Sequence, residues 1–240
     1  MSRAKTGTLT TLALIAAAIS FVMFIIGGPG HRFGLWDYEM GFTLLRYAAY
    51  VGIGAAILGL LPILGVIWRE HKMKSLVAVV IGTFVMMNLQ GYINKARQLP
   101  AIHDISTDLD NPPQYQIIDA RDEAERGFTD EQHRALQEVY YGDIQSLTAM
   151  KNVADTTKAM HEVLVEMEMD IVALDANAGH IEAVATTAWF GFKDDVVVRV
   201  LPQGSRSKID IRSVSRVGRS DIGKNAERIR EIVKRAQEKL

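Results

Sequence analysis

Three long apolar runs occupy most of the first hundred residues. They cover residues 9–28, 47–68 and 76–93, and none of them contains a charged residue. Each is close to the length of about 20 residues that an α-helix needs to cross the hydrocarbon core of a bilayer. Buried helices of a soluble protein are the alternative, but three such runs exceed what a small core can hide. We therefore predict three transmembrane helices within residues 1–97, with the first one retained rather than cleaved, and the lipid bilayer as a partner.

The positively charged flanks of these runs predict the orientation, because lysine and arginine are more frequent on the cytoplasmic side of a membrane. With the N-terminus inside, the cytoplasmic flanks hold Arg3, Lys5, Arg69, Lys72 and Lys74. The outer flanks hold Arg32, Arg46, Lys95 and Arg97. This bias of five to four predicts a multi-pass protein with a cytoplasmic N-terminus. In a bacterium, the protein would lie in the inner membrane, with residues 98–240 in the periplasm.

Two polar residues interrupt the end of the third run. Asn88 and Gln90 can form hydrogen bonds with another helix or can lie among the lipid headgroups. We favour the headgroup interpretation from the sequence alone.

The second half of the chain alternates between apolar and polar residues in several short stretches, which is typical of half-buried strands. A short strand is predicted around residues 171–174. The next strands place Ile181, Ala183, Ala185, Thr187 and Trp189, then Val196, Val198 and Val200, then Ile209, Ile211 and Ser213 on one face. Short loops join these stretches, so we predict a four-stranded antiparallel sheet.

Helical periodicity flanks the strands on both sides. Residues 152–169 repeat apolar positions every three or four residues, and the last stretch does so from Ile222 to Leu240, with Ser220 as its predicted N-cap. The predicted fold class is therefore α+β, with two helices covering one face of the sheet. The other face is predicted to carry charges that alternate in sign and pair across strands. Glu182, Thr186, Asp195, Val197, Arg199, Asp210, Arg212, Val214 and Arg216 lie on that face.

Residues 98–150 are predicted to be an extended connector with one short helix. Three prolines and many aspartates favour irregular chain in its first part. Thr129 and Gln132 match a capping box, which predicts a helix from Thr129 to about Tyr140. The domain division is thus 1–97 for the membrane region, 98–150 for the connector and 151–240 for the α+β domain.

Charge and composition exclude several classes of protein. The net charge is −1, but residues 101–200 carry 7 basic and 20 acidic residues, while residues 201–240 carry 11 and 5. Such an acidic middle argues against a nucleic-acid-binding protein. The chain contains no cysteine, which excludes disulfides, thiol catalysis and thiolate metal sites. The six histidines form no pair at helical spacing, so we predict no metal site and no cofactor.

The arginine-rich segment before the last helix is the strongest candidate for ligand binding. Arg212, Arg216, Arg219 and Ser220 can surround an anion at a helix N-terminus, where free backbone N–H groups favour negative charge. The alternative is purely structural. In that case Asp221 occupies the anion position, Arg212 pairs with a carboxylate of the sheet, either Glu182 or Asp195, and Gly218 permits the bend.

Asp194 and Asp195 are candidates for acid–base chemistry. As neighbours on a strand they point to opposite faces, which prevents a close carboxylate pair. With Ser220 and Arg216 they define the alternative of a hydrolase that acts on an envelope ester or phosphoester.

Three segments together resemble a known family. "IHDISTDLDNPPQY" (102–115), "FGFKDDVVVRV" (190–200) and "DIRSVSRVGRSDIGKNAERI" (210–229) resemble a bacterial family catalogued as domain of unknown function fourteen ninety-nine (DUF1499). The resemblance covers about residues 98–238. It implies an N-terminal membrane anchor, which members often carry, and it implies no known chemistry.

The leading functional hypothesis is a non-catalytic binding or assembly module at the inner membrane, whose partner is another envelope protein or an anionic ligand. A further alternative makes the three helices an accessory subunit of a larger membrane complex.

Overall fold

The chain forms two compact units in a computed structural model that describes residues 3–64, 72–118 and 131–240. The first unit comprises Met1–Lys95 together with Ala188–Gly191. The second comprises Ala96–Thr187 and Phe192–Leu240.

Three long helices build the first unit. They are α1 (Arg3–Arg32), α2 (Tyr38–Ile63) and α3 (Lys72–Gln98), and all three are long and apolar enough to cross a membrane. α2 begins nine residues before the predicted run, because the Asp37 side chain accepts a hydrogen bond from the Met40 N–H at 2.7 Å and caps the helix. The predicted end of this run, up to Trp68, falls outside the described residues.

Small residues allow the three helices to approach closely. A methyl group on Gly82 of α3 would lie 2.2 Å from the carbonyl oxygen of Gly52 on α2. The Ser20 hydroxyl of α1 donates to the Ala48 carbonyl of α2 at 2.7 Å. Lipid tails are as apolar as leucine, so helices in a bilayer associate through such close packing and interhelical hydrogen bonds.

Residues 188–191 contribute two aromatic rings to the first unit. The ring centroid of Trp189 lies 5.4 Å from that of Phe24 on α1, and the ring centroid of Phe190 lies 4.9 Å from that of Phe42 on α2. Gly28 leaves space for the indole, since a methyl group there would lie 2.6 Å from it. The prediction that Trp189 belongs to the core of the soluble sheet is therefore wrong. The strand ends at Thr186, and the next residues form a turn in which strand alternation no longer applies.

An antiparallel sheet with short and long strands forms the centre of the second unit. The strands are β1 (Asp104–Ser106), β2 (Leu147–Ala149), β3 (Asp170–Asp175), β4 (His180–Thr186), β5 (Lys193–Gln203) and β6 (Arg206–Ser215). They are arranged in the order β1-β6-β5-β4-β3, and β2 also pairs with β6. The sequence predicted four strands instead of six. β1 and β2 have three residues each, which is too short to show alternation, and both pair along the same edge of β6.

Among the residues that the structure describes, the second unit also contains the helices α4 (Glu131–Tyr141), α5 (Val153–Glu166) and α6 (Lys224–Lys239). The predicted capping residue Thr129 lies outside the described residues. α5 is capped by Asn152, whose side chain accepts a hydrogen bond from the Asp155 N–H at 2.9 Å. α5 and α6 cover one face of the sheet, as predicted. Their core positions are Met160, Val163, Leu164, Ala226, Ile229, Ile232 and Ala236, which pack on Ile181, Ala183, Val196, Val198, Val200, Ile209 and Ile211.

Replacing Gly82 with alanine should loosen the helix bundle. The added methyl group would meet the backbone of Gly52, which cannot rotate away, so we expect a loss of about 1–3 kcal/mol. The thermal midpoint of the full chain in mild detergent would measure this loss. Gly54→Ala is the matched control, since no atom lies within 4 Å of a methyl group there. Equal midpoints for both variants would contradict this packing.

Candidate functional site

The second face of the sheet is charged but closed to solvent. Glu182, Asp195, Asp210 and Arg212 are at most 4% exposed. The prediction of paired charges is confirmed, because Arg199 contacts Asp210 across two strands at 2.8 Å. Residues 107–118 run across this face, and we call this segment the strap.

Ionic and hydrogen-bonding contacts hold the strap on the sheet. Asp108 accepts from Lys208 at 2.6 Å, and the Asn111 carbonyl accepts from the Arg199 guanidinium at 2.7 Å. The Tyr115 hydroxyl donates to the backbone carbonyl of Asp195 at 2.9 Å. The strap therefore uses the charges of β5 and β6 as its own binding partners.

Glu182 of β4 is the most extensively bonded side chain under the strap. Its carboxylate accepts the backbone N–H groups of Gln116 (2.5 Å), Ile117 (3.0 Å) and Ile118 (2.6 Å), and it contacts His180 Nε2 at 2.8 Å. Burial by itself raises the pKa of Glu182, but these hydrogen bonds outweigh burial and lower the pKa below its ordinary value of 4.5. Glu182 thus fills a small anion-binding concavity formed by the chain itself.

Arg212 forms a buried ion pair with Asp104. The guanidinium contacts both carboxylate oxygens, at 3.0 and 2.7 Å, and also donates to the Pro113 carbonyl at 3.2 Å. Burial raises the pKa of Asp104, and the guanidinium opposes that rise. The expected partners of Arg212, Glu182 and Asp195, are wrong. No sequence pattern indicated β1, the strand that brings Asp104 beside β6.

The two adjacent aspartates of β5 are engaged on opposite sides of the sheet. Asp194 accepts from Arg228 of α6 at 2.5 Å, and Asp195 accepts from Arg216 at 2.8 Å. Each carboxylate already has a guanidinium partner, and the two do not face a common space. A catalytic role for Asp194 or Asp195 stays a prediction.

A buried hydrogen-bond network joins β6 to α6. Asn225 donates to the His103 carbonyl at 2.7 Å and to the Ser215 hydroxyl at 2.9 Å, and accepts from the Ser213 hydroxyl at 2.7 Å. Arg228 donates to Ser213 at 3.0 Å. Sequence reasoning assigned no role to Asn225 or Arg228. The available signal was a polar residue at a position where the α6 periodicity requires burial.

The arginine-rich turn has its anion position occupied by a side chain of the protein. The Asp221 carboxylate accepts the Gly223 N–H at 2.8 Å and the Asn225 N–H at 2.5 Å. Burial raises the pKa of Asp221, and these two N–H groups lower it in part. The prediction of Ser220 as the N-cap is wrong, because α6 begins at Lys224 with Gly223 at the cap position, φ 77°.

The four residues of the predicted anion site have different environments. Arg212 is buried with Asp104, and Arg216 is paired with Asp195. Ser220 accepts the Ile222 N–H at 3.3 Å, whereas Arg219 is exposed. Anion binding there stays a prediction, but these contacts favour the structural alternative.

The amphipathic helix α4 buries its polar side and exposes its apolar side, which is the reverse of the usual arrangement. Its polar side faces inward, where His133 contacts the Asp104 carbonyl at 2.6 Å and Gln137 bonds both backbone groups of Ser106. Its apolar side faces outward. Leu136 (38%), Val139 (78%) and Tyr140 (47%) are exposed. This surface was not found from the sequence, since apolar periodicity indicates which side of a helix is apolar and not which side is buried.

No group of three or more metal-ligating side chains occurs among residues 3–64, 72–118 and 131–240. A shallow groove of about 260 Å³ lies between α6 and residues 143–145. It contains none of the predicted site residues. Arg230 on its wall is bound to Asp143 at 2.6 and 2.7 Å.

Replacing Glu182 with glutamine should release the strap. A glutamine cannot accept three N–H groups as well as a carboxylate does, and the loss of about 1–3 kcal/mol corresponds to about 5- to 150-fold faster amide exchange at Ile118. Hydrogen–deuterium exchange of residues 111–118 in nanodiscs would measure this. Glu138→Gln, an exposed carboxylate, is the control.

The same experiment has a defined pH dependence. The folded-state pKa of Glu182 is below 4.5, so its contribution is complete above that pH and is lost as the pH falls through the folded-state value. Wild-type exchange should therefore accelerate on acidification below about pH 4.5, and Glu182→Gln should lack this component. Unchanged protection at residues 116–118 in the variant would refute the role assigned to Glu182.

Comparison with known proteins assigns the second unit to a family. A search of the curated proteins found no match to the chain. The model of a protein family described as a protein of unknown function (DUF1499) matches residues 104–235, from the first strand into the last helix. The match includes the strap, Glu182 with its hydrogen-bond partners, and the hydrogen-bond network of Asn225 that joins β6 to α6. It covers more than half of the chain, and the chain therefore belongs to the DUF1499 family.

Proposed function

We propose that this protein is a non-catalytic binding module anchored in the bacterial inner membrane, and that it binds another envelope protein through α4. The observation that carries the proposal is the outward apolar side of α4. Leu136, Val139 and Tyr140 follow the i, i+3, i+4 spacing by which a helix enters a groove of a partner protein.

The charges around this apolar side favour a protein over an anionic lipid surface. Glu131 and Glu138 are exposed on α4, and Arg134 is bound to Asp110 at 2.7 Å. Amphipathic helices that bind anionic lipids present lysine and arginine beside their apolar face. The acidic margin of α4 is unsuited to that role.

The charged sheet face supports the proposal because the strap already covers it and its charges are already paired. Breaking a buried ion pair leaves an uncompensated charge, which costs about 3–5 kcal/mol. A ligand would have to displace the strap from Glu182, Arg199 and Arg212 to reach these groups. The contacts of Asp194, Asp195, Arg216 and Ser220 likewise give no support to the hydrolase alternative. An accessory role in a membrane complex is compatible with binding through α4.

The proposed location rests on the three apolar helices and on the weak excess of basic residues in the flanks on the N-terminal side. It places the N-terminus in the cytoplasm and the DUF1499 unit in the periplasm. A protein partner of α4 would then be periplasmic or would project from the same membrane.

Reporter fusions test the orientation. Alkaline phosphatase, which folds only in the periplasm, should be active when fused after Leu240, and a cytosol-dependent reporter fused there should be inactive. Fusions after Lys72, which keep only two spans, should give the opposite result. Activity of the cytosolic reporter at Leu240 would overturn the proposed location.

Site-specific photo-crosslinking tests the role of α4. A photoreactive residue at Val139 should give one discrete heavier product in intact cells, because this side chain is 78% exposed at the centre of the surface. The same residue at Met150, which is 68% exposed outside α4, is the matched control.

A second substitution makes this result specific. Leu136→Asp places a charge in the proposed contact, and it should remove the Val139 product while the protein remains at wild-type abundance in the membrane. Equal products from Val139 and Met150, or a product that is indifferent to Leu136→Asp, would argue against α4 as the binding surface.

A further inference from the structure

α3 has a buried side and a side that faces away from the other helices. Its buried positions repeat at spacings of three and four. They are Ser75, Ala78, Gly82, Val85 and Leu89. Asn88 and Gly91 are exposed on another side of α3, three residues apart, whereas Phe84, one turn before Asn88, packs against α1, where its ring centroid lies 6.3 Å from that of Phe21 and 6.1 Å from that of Phe24. In a bilayer the side with Asn88 and Gly91 faces lipid or another transmembrane helix.

The depth of Asn88 along α3 follows from the charges that flank the apolar segment. Lys74 and Lys95 bracket 20 residues, a length of about 30 Å, which matches the hydrocarbon thickness. Asn88 is seven residues from Lys95, or about 10 Å along the axis. Tyr92, of a type enriched at the interface, lies one turn closer to the water. This depth places Asn88 inside the hydrocarbon and favours a hydrogen bond with another helix, while the headgroup location that the sequence favoured stays a prediction.

Two of the three hydrogen-bonding groups of the Asn88 amide are unused. Its Nδ2 donates to the Phe84 carbonyl of the same helix at 2.8 Å. Within the described parts of the chain, the Oδ1 oxygen and the second N–H have no partner. Lipid tails offer none, and an unsatisfied polar group in hydrocarbon is costly. Gln90, by contrast, is already bonded to Asn94 at 2.8 Å.

Gly91 makes the surface next to Asn88 accessible to another backbone. No atom lies within 4 Å of a methyl group placed on Gly91, unlike Gly52 and Gly82, which pack inside the bundle. Transmembrane helices associate where a small residue permits close approach and a polar side chain supplies a hydrogen bond. Asn88 and Gly91 provide both features.

We propose that α3 pairs with α3 of a second copy of this chain, with the two Asn88 amides bonded to each other. An asparagine amide is self-complementary, because it carries an acceptor oxygen and a donor N–H. Every copy inserts with the same orientation, so a second α3 presents the matching amide at the same depth. A two-fold axis beside Asn88 then satisfies both remaining groups reciprocally. This inference goes beyond the proposed function and does not depend on α4.

Cysteine cross-linking in native membranes tests the pairing, because the natural chain contains no cysteine. Gly91→Cys places a small thiol on the exposed side of α3 next to Asn88 and should form an oxidised species of twice the 26.6 kDa chain mass. Ile15→Cys is the matched control, since Ile15 is 50% exposed on α1. Equal cross-linking from both positions would refute the proposed contact.

Asn88→Leu in the Gly91→Cys chain tests the hydrogen bond itself. Leucine is fully compatible with a lipid-facing position, so insertion should be normal. Interhelical hydrogen bonds in bilayers are worth about 0.6–1.7 kcal/mol, which predicts a dimerisation constant lower by about 3- to 20-fold. Gln90→Leu should leave the dimer unchanged. Unchanged cross-linking with Asn88→Leu, or a Gly91→Cys product whose mass does not fit two copies, would overturn the proposal.

Discussion

The structure of the second unit depends on the buried carboxylate of Glu182, which accepts hydrogen bonds from three backbone N–H groups of the strap. An ionised carboxylate removed from water requires that its lone pairs be satisfied, and residues 116–118 supply that requirement. The strap in turn needs somewhere to place these N–H groups, since no strand pairs with it. The sheet face and the strap therefore each supply the hydrogen-bonding groups that the other needs when it is buried.

The same reciprocity extends over the rest of the charged face. Arg199 and Arg212 donate to strap carbonyls while they pair with Asp210 and Asp104. The β6–α6 network around Asn225 joins the opposite face to the residues before β1. Most of the polar residues in the segments that resemble the family are therefore engaged in internal contacts. In this member of the DUF1499 family, these motif residues contribute contacts that maintain the fold.

Two exposed surfaces differ from this pattern of internal satisfaction. α4 exposes apolar side chains, and α3 exposes the amide of Asn88. Under the two proposals, a protein partner would cover each of these surfaces. The physical reasons differ, because the α4 contact would gain from burying apolar area and the α3 contact from completing hydrogen bonds.

The sequence by itself determined the features that depend on local periodicity and composition. Continuous apolar runs identified three helices that are long and apolar enough to cross a membrane. Alternation identified β3 to β6 with the correct inward-facing residues up to Ala185, since strand and helix periods are properties of neighbouring residues. Two helices on one sheet face followed from the same logic. Trp189, just past the end of β4, was placed wrongly because its neighbours stop alternating there.

Only the tertiary structure decided what covers the other sheet face and how its charges pair. Asp104, Asn225 and the N–H groups of residues 116–118 are more than sixty residues away from at least one of their partners in the chain, and no local pattern encodes such distances. The sequence also left open which side of α4 is buried, for a related reason. A helix with one polar and one apolar side can bury either, and the buried side of α4 was chosen by the unpaired backbone groups of β1 that His133 and Gln137 satisfy.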